Sequence, residues 1–241
     1  MTVLFISDLH LSEREPNLLS LFDRFAERYV DSQCEAVYVL GDLFDAWIGD
    51  DFRSGGIDLS VAILKKIAAK CPLFFIHGNR DFLIGEQFAK LSGMTLLPEH
   101  HVLTLGGENV LIMHGDTLCT DDHEYMSYRA MVRDKSWQQA VMQLSIEERL
   151  AKAQALRAES QQAANSKDDE IMDVNDKTVV EAMTRYDCQK LIHGHTHRPN
   201  IHQFQLDGKP ATRAVLSDWH ADRGNFLSYE KGEANLHYFS L

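Results

Sequence analysis

An α/β fold in which helices pack against strands, with helical material inserted late in the chain, is predicted from three features of the 241-residue sequence. Short apolar runs alternate with amphipathic stretches in β-α-β order near the start. From His123 to about Asn165 there is no Pro and no Gly, and Ala, Gln, Glu, Met and Arg dominate. Past Asn200, short strand-like runs are separated by Asp207-Gly208 and Lys231-Gly232, which read as hairpin turns.

Thr2–Ile6 is a continuous apolar run, as expected of a strand buried on both faces. Asn17–Asp31 carries Leu18, Leu21, Phe22 and Phe25 at helical spacing. Ala36–Leu40 is the next strand, and Leu59–Ala69 a second amphipathic helix that Pro72 ends. Phe74–Ile76 is a buried strand that breaks at Gly78. Gly85–Leu91 reads as a short helix with Gly93 as its stop. Met94–Leu105 is strand-rich, Gly106-Gly107 make a turn, and Asn109–Met113 return. His123 to about Asn165 holds more apolar positions than one docked helix needs, which predicts two or three helices with an apolar surface between them. Ser166–Glu170 is a polar linker, Val174–Tyr186 a core-packing helix and Leu191-Ile192 a strand. Ile201–Leu206, Ala211–Leu216, Asn225–Glu230 and Asn235–Phe239 read as an antiparallel meander forming a second sheet.

With 44% apolar residues the chain has ample material for a core. The net charge of -12 argues against a nucleic-acid partner, which needs clustered Lys and Arg to displace counterions. Cys34, Cys71, Cys119 and Cys188 lack metal-like or redox-like spacing and are expected to be reduced and mostly buried, as in the cytosol. The N-terminus runs straight into a strand, so no signal peptide is expected, and no stretch approaches the ~20 apolar residues of a spanning helix. Membrane contact is expected to be peripheral.

Five apolar runs end abruptly in polar clusters: Asp8-Leu9-His10, Gly41-Asp42-Leu43-Phe44-Asp45, Gly78-Asn79-Arg80-Asp81, His114-Gly115-Asp116 and Gly194-His195-Thr196-His197. Strand ends are where catalytic groups gather in α/β folds. Carboxylates, imidazoles and an amide together make a donor set for divalent ions. The i, i+2 spacing of Asp8 and His10 would turn both side chains to one side of an extended backbone. Gly78 would allow close approach by a ligand or metal.

In this order, from Asp8 to His197, the clusters resemble those of the calcineurin-like metallophosphoesterases. The resemblance implies a two-sheet β-sandwich flanked by helices. The core would be residues 1–122 and 166–241, and the helical insertion at 123–165 a cap for lipid or other substrate. It implies two divalent ions, most simply Mn²⁺, one held by Asp8, His10, Asp42 and His197, the other by Asp42, Asn79, His114 and His195. Asp42, Asn79, Arg80 and His195 would be catalytic, with Arg80 as phosphate clamp. The stretches 41–50, 77–83, 114–122 and 171–175 resemble the branch of that family acting in lipid A biosynthesis. There the implied reaction is metal-dependent hydrolysis of the pyrophosphate of a lipid-linked UDP-sugar. A hydroxide held between the ions attacks the uridine-side phosphorus, at the cytoplasmic face of the inner membrane and as a monomer. Asn79, Arg80, Asp122, Tyr125, Ser160, position 164, Lys167 and His195 then fall on substrate contacts. Ala164 departs from the pattern, which usually has Asn there; Asn165 stands beside it.

Two other readings stay open: a dimetal phosphoesterase for another nucleotide or phosphoester, and a non-catalytic scaffold, which the filled ligand positions disfavour. Asp45 and Asp81 are expected to orient metal-bound imidazoles. Phe44 and Trp47 are expected in the core or a pocket wall. His100, His101, His123, His202, His220 and His237 are expected in structural or surface roles. Arg149, Lys152 and Arg157 would face anionic headgroups or pair with Glu147, Glu148 and Glu159.

Overall fold

The two faces of β1 (Thr2–Ile6) go to two different cores, because successive side chains alternate. Leu4 and Ile6 pack under the helices, while Val3 and Phe5 pack between two sheets. The structure, a computed structural model, describes residues 2–165 and 171–241.

The remaining strands are β2 (Cys34–Val39), β3 (Leu73–Phe75), β4 (Thr95–Leu96), β5 (His100–Leu105), β6 (Glu108–Met113), β7 (Lys190–His193), β8 (Asn200–Leu206), β9 (Lys209–Val215), β10 (Gly224–Glu230) and β11 (Glu233–Phe239). One sheet runs β11-β10-β1-β2-β3-β4, the other β5-β6-β7-β9-β8. Helices α1 (Pro16–Arg28), α2 (Gly55–Ala68) and α3 (Glu86–Ser92) lie among the elements forming the outer core of the first sheet. Helix α7 (Asp176–Arg185) covers the second through Val179 and Met183. The layers are therefore helix, sheet, sheet, helix. Among the described residues, α4 (His123–Arg133), α5 (Lys135–Met142) and α6 (Ile146–Asn165) make up the late helical segment. None of the described helices is long and apolar enough to cross a membrane.

Three expectations change. The C-terminal strands do not form one second-sheet meander: β8 and β9 join the second sheet, whereas β10 pairs antiparallel with β1 and carries β11 to the edge of the first. Burial explains it, since β10 is buried at all but its last position and suits a central strand, while β11 is exposed at most positions. The strand-rich stretch 94–105 splits between sheets, β4 beside β3 and β5 beside β6, with Pro98 lying between them and unable to donate to a ladder. Helix α2 starts at Gly55, not Leu59, because Ser54 caps it by accepting from the Ile57 amide.

Within the first sheet β1, β2, β3 and β4 run parallel, and in the second so do β6, β7 and β9. Loops following β1, β2, β3, β6, β7 and β9 carry the groups that meet at the site, as parallel strands deliver their C-terminal ends to one edge.

Candidate metal centre

Asp8, His10 and His197 offer ligand atoms all within 4.8 Å of one another, and so do Asp8, Asp42 and His114. Asp42 stands between the two groups, with Oδ2 3.9 Å from His10 Nδ1 and Oδ1 3.7 Å from His114 Nε2. Asn79 Oδ1 lies 2.9 Å from His114 Nε2 and 3.0 Å from His195 Nδ1. All seven expected ligands thus gather in one place, and Asp8 as well as Asp42 reaches both halves.

The backbone that brings them together is not extended. Asp8, His10, Asp42, His195 and His197 have φ of 55°, 48°, 53°, 69° and 55°. For a residue with a Cβ this left-handed region costs about 1–2 kcal/mol, and the short polar Asp is among those that tolerate it. Asp8 and His10 converge because each has left-handed backbone, not because extended residues alternate. Such strain persists where surrounding structure over-determines it. Here Asp8 N donates to Gly41 O, His10 N to Asp42 O, and His195 N to Asp8 Oδ2.

Asp81 does not orient an imidazole. It is fully buried and accepts from the amides of Leu43 (2.7 Å) and Gly78 (2.8 Å), tying the Asp42 and Asn79 loops together. Burial and the neighbouring Asp42 push its carboxyl above its ordinary value. Asp45 does not orient one either: it pairs with Arg157 of α6. What approaches Gly78 is Asp42, whose Oδ1 would lie 2.1 Å from any Cβ there.

The orienting partners are elsewhere. His114 Nδ1 donates to Leu40 O at 2.8 Å, and His197 Nδ1 lies 3.4 Å from Asp218 Oδ2. Asp218 was missed by sequence reasoning, although it follows the apolar end of β9 with the same apolar-to-acid break as the other clusters. His77 binds Ile84 O at 2.7 Å and is structural. Phe44 and Trp47 are buried in the core. Arg149 pairs with Asp51, not with a glutamate of its own helix, and Lys152 lies over the Trp137 ring.

The donor set fits cations. Because Leu40 O can only accept, His114 carries a proton on Nδ1, and its Nε2 is the atom that faces Asn79 Oδ1 and Asp42 Oδ1. Lone pairs that converge in this way need a proton or a metal ion between them. His10 Nδ1 is buried without a hydrogen-bond partner among the described residues, and Asp8 Oδ1 lies 3.3 Å from His197 Nε2.

Charge supports the same view. Burial alone would raise Asp8, yet His197, His114 and His10 hold it well below the usual carboxylate range. Burial and the charge of His114 lower His195 to about 4, leaving a neutral imidazole. Burial opposes the charged form of His197, but Asp8, Asp218 and Asp42 raise it to about 9. At pH 7 the metal-free chain therefore holds a proton on His197 that an ion must displace. Ion binding is expected to release at least one proton per chain, with affinity rising from pH 7 towards 9 as His197 deprotonates. Calorimetry in buffers of different ionisation enthalpy counts these protons, and zero release would contradict the ligand role of His197.

A cavity of about 690 Å³ opens over this cluster and is lined by Asn79, Arg80, Asp122, Tyr125, Ser160, His195 and His197, among others. A narrower cavity continues from Asn79, Arg80, Tyr125 and Ser160 between the core and the late helices, walled by Trp47, Ile48, Phe82, Leu83, Trp137, Val141 and Leu156. Asp122 also caps α4 by accepting from the Tyr125 amide. Of the expected substrate contacts, Lys167 and the side chain of Ala164 lie outside the described residues.

Residues 1–199 match the calcineurin-like phosphoesterase family. The chain is 51% identical to UDP-2,3-diacylglucosamine hydrolase of Salmonella arizonae over 243 aligned positions, covering 100% of both chains. It is 47% identical to the protein of that name from Klebsiella pneumoniae, covering 99% of each. For the one from Chromohalobacter salexigens the identity is 48%, over 93% of this chain and 91% of the other.

Proposed function

The chain belongs to the calcineurin-like phosphoesterases, and we propose that it hydrolyses the pyrophosphate bond of UDP-2,3-diacylglucosamine to UMP and 2,3-diacylglucosamine 1-phosphate, a step of lipid A biosynthesis. Near-half identity, along the whole chain, to hydrolases of that substrate carries this reading.

As a member of its family the enzyme uses divalent ions, which when bound neutralise phosphate oxygens and lower the pKa of water. Asp8, His10, Asp42 and His197 would hold one, and Asp42, Asn79, His114 and His195 the other. The mixture of carboxylate, imidazole and amide suits Mn²⁺. Arg80, on the wall shared by both cavities, offers its planar fork to pyrophosphate oxygens. Asn79 and His195 face the same space and hold the attacked phosphate. Water adds to the uridine-side phosphorus while the bond to the bridging oxygen breaks, and the lipid-sugar 1-phosphate leaves.

Residues 123–165 act as a cap on a core of 1–122 and 166–241. The larger cavity takes the glucosamine against Asp122, Tyr125 and Ser160. The narrow apolar cavity takes acyl chains, widening as they enter. The protein would work as a monomer, peripherally, at the cytoplasmic face of the inner membrane.

Comparing diacylated with deacylated UDP-glucosamine tests this. Burying only four methylenes at ~0.8 kcal/mol each is enough for a kcat/KM preference of at least about 100-fold for the acylated form. Val141→Trp, which fills the cavity, should erode it. Equal turnover of both forms would favour a dimetal phosphoesterase for another nucleotide.

A further inference from the structure

Helix α4 buries a single hydrophobic residue, Val132, so apolar packing does little to fix it on the core. A polar stripe takes that place. Tyr125, Arg129 and Arg133 stand at i, i+4 and i+8 and so share one face. All three reach Asp116, a core carboxylate with 1% of its surface exposed: Tyr125 OH donates to Oδ2 at 3.1 Å, Arg129 Nε donates at 2.8 Å, and Arg133 Nη2 lies 3.9 Å away. Arg129 also pairs with Glu99. Arg133 donates to Gly78 O at 3.0 Å and His77 O at 3.3 Å, the carbonyls just before Asn79 and Arg80. At the other end of the stripe the Tyr125 ring lies 5.4 Å from that of His195.

We propose that this stripe, seated on Asp116, sets the register of the late helices against the metal-binding loops, making Arg129 and Arg133 positioning residues for the acylated substrate. Buried ion pairs contribute little net stability compared with apolar packing, but they penalise every other register, because a shift leaves charges buried and unpaired. A slip of one helical turn, about 5.4 Å, would carry Tyr125 away from His195 and open the cavity wall. Lysine cannot replace these arginines, since it lacks the fork that engages a carboxylate and a second acceptor together. The inference rests on the proposed substrate only for its activity readout.

Arg129→Lys and Arg133→Lys, each loaded with Mn²⁺, are to be assayed on the diacylated UDP-sugar and on bis-p-nitrophenyl phosphate, with ion content measured. Each variant should lose at least about tenfold in kcat/KM on the lipid substrate, with KM raised as well as kcat lowered. Diester turnover and ion content should stay at the parental level. Amide exchange supplies a reading independent of substrate: α4 should exchange about tenfold faster while α7 is unchanged. A parent chain inactive on the lipid nucleotide would refute the proposed substrate, leaving the exchange measurement to judge the stripe. Parallel losses on both substrates, no loss on either, or unchanged exchange in α4 would overturn the positioning role.

Discussion

Asp42→Ala should lower turnover at least about 10³-fold, whereas Asn79→Ala should lower it about 10- to 100-fold. The difference comes from position. Asp42 presents Oδ2 to His10 and Oδ1 to His114, at 3.9 and 3.7 Å, so its loss disturbs both halves of the centre. It also accepts from the Arg80 amide at 2.8 Å and so helps place the phosphate clamp. Among the described residues, the Asn79 oxygen has His114 and His195 as its hydrogen-bond partners. Steady-state rates at saturating Mn²⁺, with bound ions counted, separate the two. Equal residual rates would contradict a shared role for Asp42.

Gly78→Ala should be nearly as damaging, reducing both activity and ion content by about 100-fold or more. A Cβ at this position would lie 2.1 Å from Asp42 Oδ1 and 2.3 Å from Asp42 N. The second of these is backbone and cannot swing away. Relief would require parting the Asp42 and Asn79 loops, which Asp81 binds together through the Leu43 and Gly78 amides. Gly55→Ala is the control, because its nearest neighbour would be 3.9 Å away, and it should be silent. A Gly78→Ala chain with parental turnover and ion content would show that the two loops are not held as rigidly as the geometry requires.

Much of the site was legible because strand ends announce themselves: an apolar run stops and Asp, His or Asn follows, and parallel strands bring those ends to one edge. Asp8, His10, Asp42, Asn79, His114, His195 and His197 all lie in the clusters that this signal marks, while their part as ligands was implied by the family resemblance. The means of convergence was not legible, since positive φ at five non-glycine residues is set by loop-to-loop hydrogen bonds that span the chain. For the same reason Asp81 was given the wrong partner. Its sequence neighbours suggested an imidazole, but folding puts the Leu43 amide beside it. Asp45 and Arg149 failed similarly, each finding its partner on the far side of the cap boundary. The exchange of β10 and β11 into the first sheet was hidden because alternation shows that a strand is buried but not which strand lies next to it.

Hydrolysis of UDP-2,3-diacylglucosamine in ¹⁸O-water by the Mn²⁺-loaded chain, with both products weighed by mass spectrometry, shows which phosphorus is attacked. UMP carrying one ¹⁸O and an unlabelled 2,3-diacylglucosamine 1-phosphate are expected in equal amount. Label in the lipid phosphate, or release of UDP in place of UMP, would contradict attack at the uridine-side phosphorus.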